Sequence, residues 1–425
     1  MTVLIAGGGI AGMALGLTCH QIGVPFKIFE AAEEIKPLGV GINLQPTAVR
    51  ELFDLGLEAE IEAIGVRTRD YGMYSKKGLH IWTEQRGTWA GYKWPQYSVH
   101  RGRLHKMLYD VLIDRAGPAC VETGWSVTGF RTQGQEAVLT MVDREGQVRE
   151  VQGDLAIGAD GIHSAVRSQM APDEGPPKWG GALLWRGTTH AVPFKSGASM
   201  VMIGYSGLRF VSYPISRPDP HTGEAEINWI ANLNVDPSGH YNKEDYAREA
   251  RLEDFLPKFM DLKLEWIDVP ALIQNTTKIY EYPMVDREPL DSWTVGRVSL
   301  MGDAAHAAYP VGSNGAGSAI IDARELGAAF LEHGLSPAAL QAFEAKMRPP
   351  TSKVVLMNRK AGPDSILDTV EDRCGGVFDD INDVIPIEEM AAHAKRYKLA
   401  AGFGIDETNN NPQTIPKNAH YTQRF

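Results

Sequence analysis

The sequence predicts an α/β fold in three parts: a Rossmann-like, doubly wound domain, a β-rich insertion that splits it, and C-terminal helices. Three observations predict this. An apolar run at Val3–Ala6 passes through Gly7, Gly8, Gly9 and Gly12 into a helical stretch, then into a second strand at 26–29 that ends in Glu30. Residues 180–290 carry short apolar and aromatic runs at 183–185, 200–205, 210–215 and 226–233, separated by turn-rich pieces such as 217–223. Beyond Pro349 and Pro350 the pattern is that of helices with charged faces.

The intervening elements follow in order. From 70 to 94 the texture is of short strands with Gly, Trp and charged residues. Leu104, Leu108, Val111 and Leu112 then recur on one side of a helix reaching Arg115. Residues 121–157 alternate strand and turn and end in the buried-strand run Leu155, Ala156, Ile157. The run 298–301 reads as a further strand, followed by a Gly/Ala-rich segment that turns helical near Ser318. The expected division is therefore 1–175 with 280–360 as one discontinuous domain, carrying a small strand insert at about 70–100. Residues 176–279 form a β-rich substrate domain, and 361–425 form a helical region whose polar end, from Gly402, is an arm or flexible tail.

Composition narrows the function. The 425 residues hold 42 Lys plus Arg against 53 Asp plus Glu, a net charge of −11. That sign disfavours nucleic acid and anionic membrane surfaces as partners. Cys19, Cys120 and Cys374 are far apart with no Cys-x-x-Cys spacing, so neither a disulfide framework nor a metal site is expected. The first apolar run is too short for a signal segment, and no stretch is long and apolar enough to span a bilayer. The expectation is a cytoplasmic protein with a small-molecule substrate; assembly as a homodimer is left open.

Three motifs carry chemistry. In the first, Gly7-x-Gly9-x-x-Gly12, glycine lets the backbone turn tightly and approach a pyrophosphate. Ala11 lies in the following helix, whose N-terminus offers free N–H groups, and Glu30 suits ribose hydroxyls. This motif alone does not choose between NAD and FAD. The second motif, Gly158-Ala159-Asp160-Gly161, and the third, Gly302-Asp303, each end a strand in a glycine–acid turn. An aspartate so placed can reach a polyol such as the ribityl chain of FAD. The glycine-rich run from Pro310 through Gly315 and Ala316 would let backbone N–H groups approach the flavin edge, where negative charge accumulates on reduction.

In this order the motifs resemble the class A flavoprotein monooxygenases, the family of para-hydroxybenzoate and salicylate hydroxylases. The stretches 38–46, 95–102 and 282–287 are most similar to its phenazine monooxygenase branch, of which the pyocyanin-forming enzyme is a member. The likeness covers roughly residues 1–360. It implies a para-hydroxybenzoate hydroxylase-like fold, FAD as cofactor, and NADPH or NADH as co-substrate. It also implies hydroxylation of an aromatic ring through a flavin C4a-hydroperoxide, with decarboxylation open. By the same resemblance Asp160 and Arg167 lie near the FAD and the nicotinamide path. Asp303 holds the ribityl chain, Arg101 contacts that region, Val127 lies against the adenine, and Gly41 passes near the flavin ring.

Trp185, Tyr205, Tyr213 and Pro310 are the expected substrate-pocket residues, as aromatic or turn positions of the β-rich part and the third motif. Arg186 could meet a substrate carboxylate, but a surface ion pair is the favoured reading. His306 is read as a locally bonded packing residue rather than a base, and no catalytic residue is named. Rival functions are an FAD-dependent reductase or oxidase without oxygen insertion, a non-catalytic binder of flavin and aromatic ligand, and a flavin-free NAD-dependent dehydrogenase.

Overall fold

In the computed structural model, residues 2–236, 248–360 and 362–422 are described. The first sheet has the strand order Thr294–Val295, Val298–Leu300, Leu155–Gly158, Val3–Ala6, Phe26–Glu30, Val121–Thr123. All pairs are parallel except the Thr294–Val295 edge. The central strands are buried throughout, which is why they read as continuous apolar runs rather than alternating ones. Helices Ile10–Ile22 and Gly315–His333 pack together within the same core, and a three-stranded meander over 126–153 is also packed into it.

The second large sheet has seven strands, ordered Tyr280–Asp286, Lys178–Ala191, Ala225–Asn234, Leu208–Pro214, Ser199–Tyr205, Asp70–Tyr74, His80–Gln85. The sequence places the insert at 70–100 and the strand at 280–286 with the first domain. Within the insert, Asp70–Tyr74 and His80–Gln85 join this sheet instead, Asp70–Tyr74 parallel to Ser199–Tyr205, and Tyr280–Asp286 joins it antiparallel to Lys178–Ala191. Edge strands of matching register completed a sheet that the local sequence could not show to be open.

Alternation then sorts the residues by face. Trp185, Phe210 and Trp229 point to one side, into a cluster with Phe255 and Phe259. Leu184, Arg186, Met202, Val211, Tyr213 and Ile230 point to the other. A small sheet of Gly41–Leu44, Tyr97–His100 and Gly65–Arg67 supplies Gly41, Ile42 and Asn43 to the space that this second face overlooks.

Two C-terminal expectations need correction. Helix Pro337–Asn358 runs straight through Pro349 and Pro350 instead of restarting after them. The polar end is no flexible tail over its described part: it forms helix Ile405–Asn410 and then packs on the first domain. Arg50 donates to the Pro412 carbonyl, Thr414 Oγ1 donates to Glu51 Oε1 at 2.8 Å, and Tyr421 N donates to Ile22 O at 2.7 Å. Ile415, 4% exposed, joins the main core; residues 423–425 lie outside the described set. Ile415→Ala is therefore expected to destabilise the protein by about 2–5 kcal/mol in a denaturant melt. A loose arm would show no change. Among the described residues no helix is long and apolar enough to cross a membrane.

Candidate active site

The glycine turn comes first. Gly7 has φ +101°, and a Cβ there would sit 2.5 Å from Ala159 O; one on Gly12 would sit 2.0 Å from Gly7 O. These two glycines are demanded by the fold's own close approaches. Gly9 is not: as N-cap of helix Ile10–Ile22 it has φ −71°, and nothing lies within 4 Å of a Cβ built there. The helix N-terminus thus faces open space of the kind a pyrophosphate fills. Glu30 reaches back over the turn, its Oε2 accepting from Gly8 N at 2.6 Å and its Oε1 from Ala32 N at 2.8 Å. The buried Val127 lies two residues beyond Trp125, whose N–H donates to Glu30 O at 2.9 Å.

The other two motifs are drawn to this turn. Gly302 has φ +58°, and a Cβ on it would meet the Ala11 Cβ at 2.9 Å, so the third motif rests on the first helix. Asp160 is engaged internally: Ser164 Oγ donates to Oδ1 at 2.5 Å, and Ala165 N and Val166 N donate to Oδ2 at 2.9 and 3.3 Å. Burial raises its pKa, while those hydrogen bonds pull the other way. Arg167, 0% exposed, pairs with Glu174 at 2.6 Å and donates to the Ala304 and Ala305 carbonyls. A side chain sealed in this way clamps the second motif to the third.

His306 is also internal, with Nε2 2.6 Å from Asp322 Oδ2. Burial opposes the imidazolium, but the Asp322 carboxylate outweighs it and the pKa is raised. Stability from this pair is accordingly full below the ordinary value of 6.5 and lost as pH rises through the folded-state pKa. His306→Gln should flatten stability against pH across that window, as followed by denaturant melts. An unaltered slope would exclude the charged pair.

A cavity of about 320 Å³ lies between the first domain and the seven-stranded sheet. Its first wall holds Gly41, Arg101, Asp303, Pro310, Gly315 and Ala316, six residues from three separate segments. The exposed Asp303 and Arg101 carry opposite charges here. Helix Gly315–His333 opens on the same wall, and its Asn314 N-cap makes no side-chain capping bond, so the first N–H groups and the positive dipole end remain available. The opposite wall is apolar and sulfur-rich, with Leu184, Met200, Met202, Val211 and Ile230.

Of the expected pocket residues, Tyr213 and Pro310 line this cavity. Trp185 does not: alternation turns it to the far face, where it stacks on Phe255 at 4.8 Å and donates to Glu281 at 3.0 Å. Tyr205 does not either; it sits at a hairpin end with Lys76 Nζ 5.5 Å from its ring centroid.

Arg186 reverses the favoured sequence reading. It is half-buried in the cavity wall, its Nη2 donates to Gly41 O at 2.8 Å, and no carboxylate of the described residues pairs with it. Its Nε is buried with no hydrogen-bond partner. Burial lowers the Arg186 pKa from its ordinary value, and burial pushes the neighbouring Tyr213 hydroxyl up to about 12, so that phenol stays neutral. The only sequence signal for Arg186 was its position one residue from Trp185. Period-2 alternation puts one of the two on the ligand side without saying which.

The residues fit FAD: an open, anion-suited helix end at Gly9, a carboxylate beside it, and a second uncapped helix end at the cavity. A family model described as FAD binding domain matches residues 1–357, and the chain belongs to that family. It is an NAD(P)H-dependent flavoprotein monooxygenase of the aromatic hydroxylase class, with the expected para-hydroxybenzoate hydroxylase-like fold. It is 40% identical over 366 residues to the phenazine 1,6-dicarboxylic acid hydroxylase PhzS of Lysobacter antibioticus, covering 84% of this chain and 89% of that one. To the salicylate hydroxylase of Pseudomonas putida it is 28% identical, covering 83% of each chain. Similar solved structures include a salicylate hydroxylase substrate complex, with TM-score 0.72, 21% identity and 99% of each chain covered. Klebsiella pneumoniae HpxO complexed with FAD and uric acid has TM-score 0.72 and 20% identity over 95% of each chain.

Proposed function

We propose that this enzyme hydroxylates an aromatic or heteroaromatic acid whose acidic group is held by Arg186. The observation that carries this reading is a guanidinium in the cavity wall without a carboxylate partner and with a buried, unbonded Nε. Arg186 is also tied to Gly41, so an anion it binds would lie beside the wall where the flavin ring belongs. Bound FAD, reduced by NADPH or NADH, supplies the oxygen activation that no side chain here can.

The chain's own residues bind, orient and exclude water. Gly7, Gly9 and Gly12 with Glu30 would hold pyrophosphate and ribose, Val127 would back the adenine, and Arg101 and Asp303 would hold the ribityl chain. Gly41, Gly315 and Ala316 would border the ring, with the free N–H groups of the second helix end favouring negative charge at its edge. Asp160 would act at one remove, by shaping the turn that Arg167 locks to the third motif. The methionine and aliphatic wall keeps water from the reacting carbon. When that carbon carries the carboxylate, its C–C bond breaks and carbon dioxide leaves as the hydroxyl is introduced. Three unpaired cysteines suit a reducing, cytoplasmic setting.

The test is NADH and NADPH oxidation by the holoenzyme against a panel of aromatic acids, with product mass and oxygen-18 content measured. Labelled product from an acid, with its neutral amide turned over poorly, is expected. Equal turnover of the acid and its amide would overturn the reading that Arg186 holds an acidic group.

A further inference from the structure

The cavity has a second charged end, five strands from Arg186 in the sheet order. Arg86 follows the edge strand His80–Gln85 and lies with its guanidinium 4.9 Å from the Tyr71 ring centroid. Lys398 comes from helix Ile387–Ala400, beyond the stretch matched by the family model. Both cations depend on one carboxylate, Glu84: Arg86 Nη2 lies 3.0 Å from it, and Lys398 pairs with its other oxygen. Arg209 is satisfied separately by Asp364 at 2.9 Å, which also accepts from Tyr71 at 3.3 Å. Arg86, Lys398 and Arg209 thus gather around Glu84 and Asp364, with the Asp368 carboxylate behind Asp364, and Arg86 Nε is buried without a hydrogen-bond partner. A guanidinium with an orphaned donor, backed by an ammonium at the end of an apolar channel, is suited to an anion.

We propose that Arg86, assisted by Lys398, binds a second anionic group of the substrate, remote from the one at Arg186. The substrate class is then a flat, multi-ring aromatic acid with acidic groups at both ends. Met73, Met200 and Met202 border the channel between, and their polarizable thioethers suit an aromatic face. This rests on the acid-hydroxylase reading above and adds the identity of the far contact.

The probes are phenazine 1,6-dicarboxylate and phenazine 1-carboxylate, bound to the oxidised holoenzyme and followed through flavin absorbance, so that turnover is not required. The unaltered enzyme should prefer the dicarboxylate, and Arg86→Met should reduce that preference roughly tenfold to a hundredfold, the range of a charged hydrogen bond. Lys398→Met should move it the same way, and carries the test if Arg86→Met fails to fold or to retain FAD. A preference untouched by either variant, or absent from the unaltered enzyme, overturns the proposal. Preferential binding without oxygen-labelled product would instead remove the hydroxylase reading and leave the anion site standing.

Discussion

Arg186→Met is expected to lower kcat/KM for an aromatic acid by about a hundredfold to a thousandfold while FAD stays bound, a loss of about 3–4 kcal/mol. Methionine keeps the stem that fills the wall and removes both charge and fork. Two interactions disappear together: the hydrogen bond to Gly41 O, which ties the sheet to the flavin-side wall, and the donor left open at Nε. Arg186→Lys separates them. It keeps a charge but cannot bridge Gly41 O and a ligand at once, so an intermediate loss is expected. The measurement is steady-state oxidation with product quantified, since uncoupled oxidation would hide the defect. A change within roughly threefold for the acid would exclude Arg186 as its anchor.

The second large effect separates two glycines that look alike in the motif. Gly12→Ala places a Cβ 2.0 Å from Gly7 O, a backbone atom that cannot swing aside. Strain of about 1–3 kcal/mol should appear as a lower melting temperature of the cofactor-free protein. Gly9→Ala meets nothing within 4 Å, so the same melt should change by no more than about 1 kcal/mol, the scale of an N-cap exchange. Its FAD affinity should nevertheless fall by roughly tenfold or more, because the methyl occupies the phosphate approach. Fluorescence titration of the stripped protein with FAD checks this. A Gly9→Ala protein that keeps full affinity would refute the cradle at that helix end.

Much of the first domain was legible because its signals are local. Val3–Ala6, Gly7 to Gly12 and Glu30 report on turns and strands completed within one β-α-β unit, and Gly7 and Gly12 have steric reasons that need no distant partner except Ala159. The β-rich middle was legible as strands but not as faces. As an aromatic on a strand of the β-rich part Trp185 suits a pocket, yet large aromatics also make the best core, and Phe255 stacks on it there. Tyr205 was misplaced for a similar reason: its type suits a pocket, while its position is a hairpin end.

By itself the sequence determined the class of fold and a site suited to a flavin dinucleotide, since both follow from short motifs whose backbone demands are met nearby, and through its family resemblance it implied the kind of chemistry. Tertiary structure alone decided which side of each strand meets the substrate, where the 70–100 insert pairs, and that the polar C-terminal end is core-packed. It also brought Arg86 to Lys398, more than three hundred positions apart, at the far end of one cavity. Alternation and composition are properties of a segment, whereas burial and charge pairing belong to whatever the folded chain lays against it.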